Sequence, residues 1–131
     1  MLGAERAGVS QEPRRRPQPQ PSARGLTAKK LHHGTLNALF LPHVLRFNAD
    51  HCAEKMLRLA QTLGLANAAA LPETFSKLCA ELGLPSRLRD MGVTREDLEP
   101  LAERALKDHC TPTNPRRLDL EACQRLYREA W

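Results

Sequence analysis

Long apolar runs are missing from this chain of 131 residues. The longest, Leu36 to Leu45, is interrupted by Asn37, Pro42 and His43 and falls well short of the roughly 18 residues a membrane-spanning helix needs. No span is expected. The N-terminus has no continuous apolar core of the kind a secretory signal carries, which argues against export. Cysteine is scarce too. Cys52, Cys79, Cys110 and Cys123 stand singly, without a C-x-x-C pair, in a chain long enough to form a core without disulfide staples. Reduced thiols in a cytoplasmic compartment are expected. Three Phe, one Trp and one Tyr are the whole aromatic content, and the chain length sets one modest domain as the ceiling.

The basic excess is confined to one end. Residues 1–30 hold seven bases and two acids, whereas the remaining 101 residues balance 13 bases with 13 acids. The net charge of +5 therefore belongs to the N-terminal segment and implies no nucleic-acid-binding body. Within that segment PRRRPQPQP has no apolar residue, and its prolines remove helix donors while holding the backbone near polyproline geometry. A disordered Pro/Arg-rich tail over residues 1–30 is expected, followed by one domain over residues 31–131. An arginine-rich arm for an acidic partner and a basic transit peptide are the other readings of the tail, although the proline spacing spoils the amphipathic helix a transit peptide wants.

From Leu31 onward the apolar spacing is helical, the punctuation agrees with it, and no strand alternation appears. An all-α fold is expected. Asp50 or Asn48 can cap a helix whose Cys52, Met56, Leu59, Ala60 and Leu63 share one stripe, with Gly64 placed to stop it. Pro72 suits a first helical turn, after which Phe75, Leu78, Cys79 and Leu82 repeat at helical spacing before Gly83. Thr94 and Asp97 form a capping box in its acidic version, opening a helix with Leu98, Leu101, Ala102, Ala105 and Leu106 inward. Asp119 can cap a last helix with Leu120, Cys123, Leu126, Tyr127 and Ala130 on one side. The segment Leu36 to Phe47 differs, because apolar residues leave it almost no polar face, and a helix of that kind must be buried all round. It is expected to be central, and Pro42 to kink it. A domain of this size buries only about 60 to 70% of its unfolded surface, so full wrapping of such a helix calls for a neighbour outside it.

Few residues point to chemistry. His32 and His33 precede Gly34 at the start of the apolar helix, where unpaired helix donors and a glycine allow close approach of a metal or anion. One histidine is not a site, since catalytic metal centres usually hold three protein ligands. His43 and His51 lie a turn or more away and His109 is distant in sequence, so three imidazoles are not expected to converge. Cys110, in HCTPTNPRR, would need a nearby base to act as a nucleophile, and His109 is not assumed to face it. Cys52, Cys79 and Cys123 sit on apolar stripes and read as small core side chains. The Arg116, Arg117 pair reads as solvated surface.

Three blocks, LHHGTLNALFLPHVLRFNA, ELGLPSRLRDMGVTREDL and DHCTPTNPRRLDLEACQRLYREAW, together resemble the C-terminal part of iron-containing (group III) alcohol dehydrogenases. The likeness spans Leu31 to Trp131. It implies an all-helical bundle that follows an α/β domain binding NAD, with a divalent metal (Fe or Zn) in the cleft between them. The resemblance implies a metal held by one aspartate and three histidines, of which only the last, His33, maps onto this sequence. The metal would act as a Lewis acid on the bound alcohol while hydride passes to the nicotinamide. Cys110 maps onto the loop facing the cleft and is expected to line the substrate or nicotinamide pocket.

The departures weigh as much. No histidine precedes His32, and Gly3, Gly8 and Gly25 form no glycine-rich cofactor turn. The expectation is therefore a truncated, metal-side helical domain, inactive alone, with no catalytic or cofactor-binding residue of its own. The alternative is a non-catalytic helical module that associates with a dehydrogenase subunit. Either reading implies the same partners: the missing N-terminal half or a homologous subunit, and no membrane or nucleic acid.

Overall fold

The computed structural model describes residues 31–131. The expected disorder of residues 1–30 lies outside the described residues. Among the described residues five α-helices form and no strand: α1 (His33–Asn48), α2 (Ala53–Thr62), α3 (Leu71–Glu81), α4 (Leu98–Leu106) and α5 (Leu120–Glu129). Short 3-10 turns link them.

The punctuation explains most boundaries. Pro72 occupies the first turn of α3, where its missing N–H costs nothing. Gly64 and Gly83 follow α2 and α3 with φ of 68° each, a left-handed conformation that a side chain would strain. The capping box at Thr94 and Asp97 is present, with the Thr94 amide donating to Asp97 Oδ2 at 2.9 Å. Asp119 caps α5 by accepting from the Ala122 amide at 2.8 Å. The start of α2 differs from expectation, because Cys52 is its N-cap. Asn48 is unavailable for capping: its amide is buried and paired with Asn114 in two reciprocal bonds of 2.8 Å.

Pro42 has no N–H for the carbonyl of Ala38, yet α1 continues through it to Asn48. The freed carbonyl is met across the helix interface by the Cys79 thiol of α3, which donates at 3.8 Å. Helix α1 packs along α3 and touches α5, while α4 and α5 pair with each other. Three apolar clusters result. Leu39, Leu88, Val93, Leu98 and Ala130 form the first. Leu45 with Ala60 and Leu71 forms the second. The third joins Phe47 to Ala122 and Leu126. The chain end is tied down as well, with Leu88 donating to the Ala130 carbonyl at 2.8 Å and Trp131 Nε1 to the Val93 carbonyl at 3.0 Å. Arg95 lies 4.4 Å above the Trp131 ring, a cation–π contact that fixes the indole from its other side.

The apolar stripes are covered only in part, as the size of the domain requires for α1. Helix α1 is not wrapped on all sides: Leu39, Leu45 and Phe47 are buried, Leu36, Phe40 and Val44 half-buried, and Leu41 exposed. Four short helices do not supply enough surface to enclose a fifth. The stripe on α2 reaches the core through Ala60, with Met56 half-buried against the same cluster, while Leu59 and Leu63 remain exposed, as does Leu57 beside the stripe. Leu78 and Leu82 at the end of α3 are open to solvent too, Leu82 by 66%, and Leu120 at the start of α5 is exposed. The uncovered apolar surface thus lies mainly on α2 and α3. Arg116 also departs from its reading as solvated surface, because its guanidinium stacks 4.3 Å over Phe47 and donates to the Phe47 carbonyl at 3.3 Å.

Candidate functional site

Histidine takes an uncommon capping role at the head of α1. The Thr35 amide donates to His32 Nδ1 at 3.3 Å, which satisfies one of the orphan donors of the first turn. His32 is therefore committed to the fold. His33 is the first residue of α1 and is exposed, with Nε2 3.1 Å from the side-chain amide of Asn37.

The loop after α4 carries the other candidate. Cys110 is exposed, and its sulfur lies 3.4 Å from His109 Nε2, so the imidazole faces the thiol, a point the sequence had left open. On the other side of that ring, Nδ1 stands 3.6 Å from Asp108 Oδ1. The Cys110 amide donates to the same carboxylate oxygen at 2.8 Å. That hydrogen bond first, then one from the Cys110 side chain, and last the His109 and His33 charges hold the Asp108 carboxyl below its usual pKa range against an opposing desolvation. The His33 contribution places the head of α1 within electrostatic reach of this loop. Desolvation by the loop, followed by the hydrogen bond and charge of Asp108, pushes the Cys110 thiol above its ordinary value. A thiol so held is mostly protonated at neutral pH and is a weak nucleophile.

The remaining histidines stay apart. His43 lies ten residues along α1 from His33, about 15 Å by helical rise, and its charged surroundings are Arg46, Arg87 and Glu129. His51 is exposed in the turn before α2. Asp108 was overlooked by sequence reasoning; the available signal was an aspartate two residues before a turn, where its side chain commonly takes the backbone N–H. An apolar-lined cleft of 370 Å³ lies between Arg95, Leu98, Arg128 and Trp131 and includes neither His33 nor Cys110. Of the ligands the resemblance implies, the described residues offer His33 alone, one donor where a catalytic centre takes three. A family-type metal centre does not fit these residues by themselves.

The helical arrangement is found in an oxidoreductase of known structure. The crystal structure of 1,3-propanediol oxidoreductase superposes with a TM-score of 0.68 at 33% identity, over 77% of this chain and 28% of that one. Lactaldehyde reductase of Escherichia coli (strain K12) is 43% identical over 108 residues, covering 76% of this chain and 28% of its relative. 4-Hydroxybutyrate dehydrogenase of Cupriavidus necator is 42% identical over 90 residues, covering 66% and 24%. The model of the Fe-containing alcohol dehydrogenase family, C-terminal, matches residues 27–131. The chain belongs to the Fe-containing alcohol dehydrogenase family. It spans about a quarter of the length of the relatives it matches.

Proposed function

We propose that residues 31–131 are the metal-side helical domain of an NAD-dependent oxidoreductase interconverting small alcohols or diols and their carbonyl compounds, and that this chain alone does not turn over. The single observation carrying this reading is the family match over residues 27–131 in a chain that presents one imidazole, His33, of a four-ligand set. In this reading His33 contributes one ligand to a divalent Fe or Zn centre, and Cys110 lines the substrate cleft from the loop after α4. The partner that supplies the remaining ligands and the nicotinamide-binding turn is an N-terminal dehydrogenase half or a homologous subunit, in the cytoplasm. No helix of the described residues is long and apolar enough to cross a membrane.

A second reading is favoured by the leucines exposed on α2 and α3: a non-catalytic helical module docked on a complete dehydrogenase subunit. Contiguous exposed apolar surface usually marks an interface. One experiment separates the two. The chain is assayed for NAD-dependent oxidation of 1,2- and 1,3-propanediol with Fe(II) or Zn(II), alone and mixed with the separately produced N-terminal part of the lactaldehyde reductase. Activity only in the mixture, lost in His33→Ala, is the expected result. Turnover by the chain alone would refute the proposed dependence on a partner. Binding to an intact dehydrogenase without rescue of the N-terminal part would favour the docking module.

A further inference from the structure

We propose that Asp108, His109 and Cys110 form a binding site for a thiophilic divalent cation of the zinc type, separate from the ligand set to which His33 belongs. The ligand atoms these three residues offer all lie within 4.8 Å of one another. The Cys110 sulfur and His109 Nε2 are 3.4 Å apart. A tetrahedral zinc ion with sulfur at about 2.3 Å and nitrogen at about 2.1 Å spans an edge of about 3.6 Å between them, so that pair already has nearly the spacing a shared ion imposes. Asp108 Oδ1 is held by the Cys110 amide at 2.8 Å, which fixes the carboxylate beside the pair.

The donor set decides the class of metal. Thiolate, imidazole and carboxylate together favour zinc over magnesium or calcium, which take oxygen ligands. Three protein ligands leave a fourth position for water. The main chain carrying the donors is fixed in advance. Thr111 donates through its amide to the Asp108 carbonyl at 3.0 Å and through its hydroxyl to the Ala105 carbonyl at 2.6 Å. Thr113 closes on the Cys110 carbonyl through its amide at 3.0 Å and its hydroxyl at 2.7 Å. Binding therefore orders side chains and little backbone, which limits its entropic cost. The His109 side chain is 93% exposed, so an ion enters from solvent without rearrangement of the core. On binding, the S–H proton of Cys110 passes to solvent and the thiolate takes the metal.

The test uses the full, untagged chain kept reduced. Zinc is titrated in competition with a chromophoric chelator, and Co(II) is read through its thiolate charge-transfer absorption. One ion per chain with that absorption is expected. Cys110→Ser should abolish the band, and Cys110→Ser and His109→Ala should each weaken zinc by at least about 100-fold, above the range for losing an outer-shell partner. His33→Ala and Cys79→Ser should leave both readouts unchanged. Both His109 and Cys110 are exposed, and far-UV circular dichroism verifies that the variants fold. Absence of the band, its survival in Cys110→Ser, or loss of binding in His33→Ala each overturns the proposal. Only the last also bears on the role proposed for His33.

Discussion

Replacing Asn114 by alanine is the most informative stability experiment the structure offers. Asn114 and Asn48 exchange two side-chain hydrogen bonds, each 2.8 Å, and the Asn114 amide also donates to the Arg116 carbonyl at 2.5 Å. Asn48 is only 5% exposed, so truncating its partner strands a buried donor and acceptor. Three lost neutral hydrogen bonds, each at the low end of the net range, and one stranded polar group together cost about 3 kcal/mol, a sizeable part of a small domain's stability of about 5 to 15 kcal/mol. In urea, with a slope of about 1 to 3 kcal/mol per molar, the midpoint should fall by roughly 1 to 3 M at unchanged slope. Asn48→Ala should cost a similar amount. The double variant should recover about 1 to 2 kcal/mol relative to the sum, because neither stranded amide then remains. A loss below about 0.5 kcal/mol in the single variant, within the range of an ordinary surface substitution, would refute the assignment of this pair as the clasp between the end of α1 and the loop after α4.

Further outcomes follow from other contacts. Burial first, and then Arg46 with Arg87, lower the pKa of His43 against an opposing pull from Glu129. The neutral imidazole is therefore preferred in the folded state. Its stability contribution is complete above the ordinary value near 6.5 and is lost as pH falls through the lowered one, so His43→Gln should flatten the fall in melting temperature between about pH 7 and pH 5. Gly83→Ala meets no atom within 4 Å but keeps φ at 68°, so a purely conformational cost of about 1 kcal/mol is expected in denaturant titration. Leu88→Ala, at a residue 1% exposed, should cost about 3 kcal/mol. Trp131→Phe loses the indole bond to Val93 and weakens the stack under Arg95, with an expected cost of about 1 to 2 kcal/mol by thermal melt.

The helices were legible because proline, glycine and short polar side chains act through local geometry. Pro72, Gly64, Gly83, Thr94 and Asp119 each sit where their own backbone preferences place them. Burial was less legible, since a stripe of leucines marks the face a helix would cover without saying whether anything covers it. That is why Leu59, Leu63 and Leu78 read as core yet face solvent. Tertiary pairing was invisible as well. Asn48 had the residue type of a helix cap, and only the fold reveals that Asn114, sixty-six residues away, claims its amide. At the candidate site, His33 and Cys110 were named from the family likeness. The contact between His109 and Cys110 depends on side-chain rotamers that adjacency in sequence does not determine. Asp108 entered through a turn whose hydrogen bond only the fold displays.

The cysteines sit at graded depths, Cys110 exposed, Cys52 and Cys79 intermediate and Cys123 buried, and together they form a ladder of opening events. An alkylating reagent reaches Cys110 without any opening. Its reaction with the half-buried Cys79 is slower, because the thiol is turned toward the Ala38 carbonyl across the interface of α3 with α1. Cys123, 2% exposed and bonded to the Ala102 carbonyl at 3.4 Å, reacts only when α4 and α5 separate. Labelling rates along the chain thus report the free energies of successive sub-global openings, and the unpaired thiols let this domain be followed helix by helix without a foreign probe.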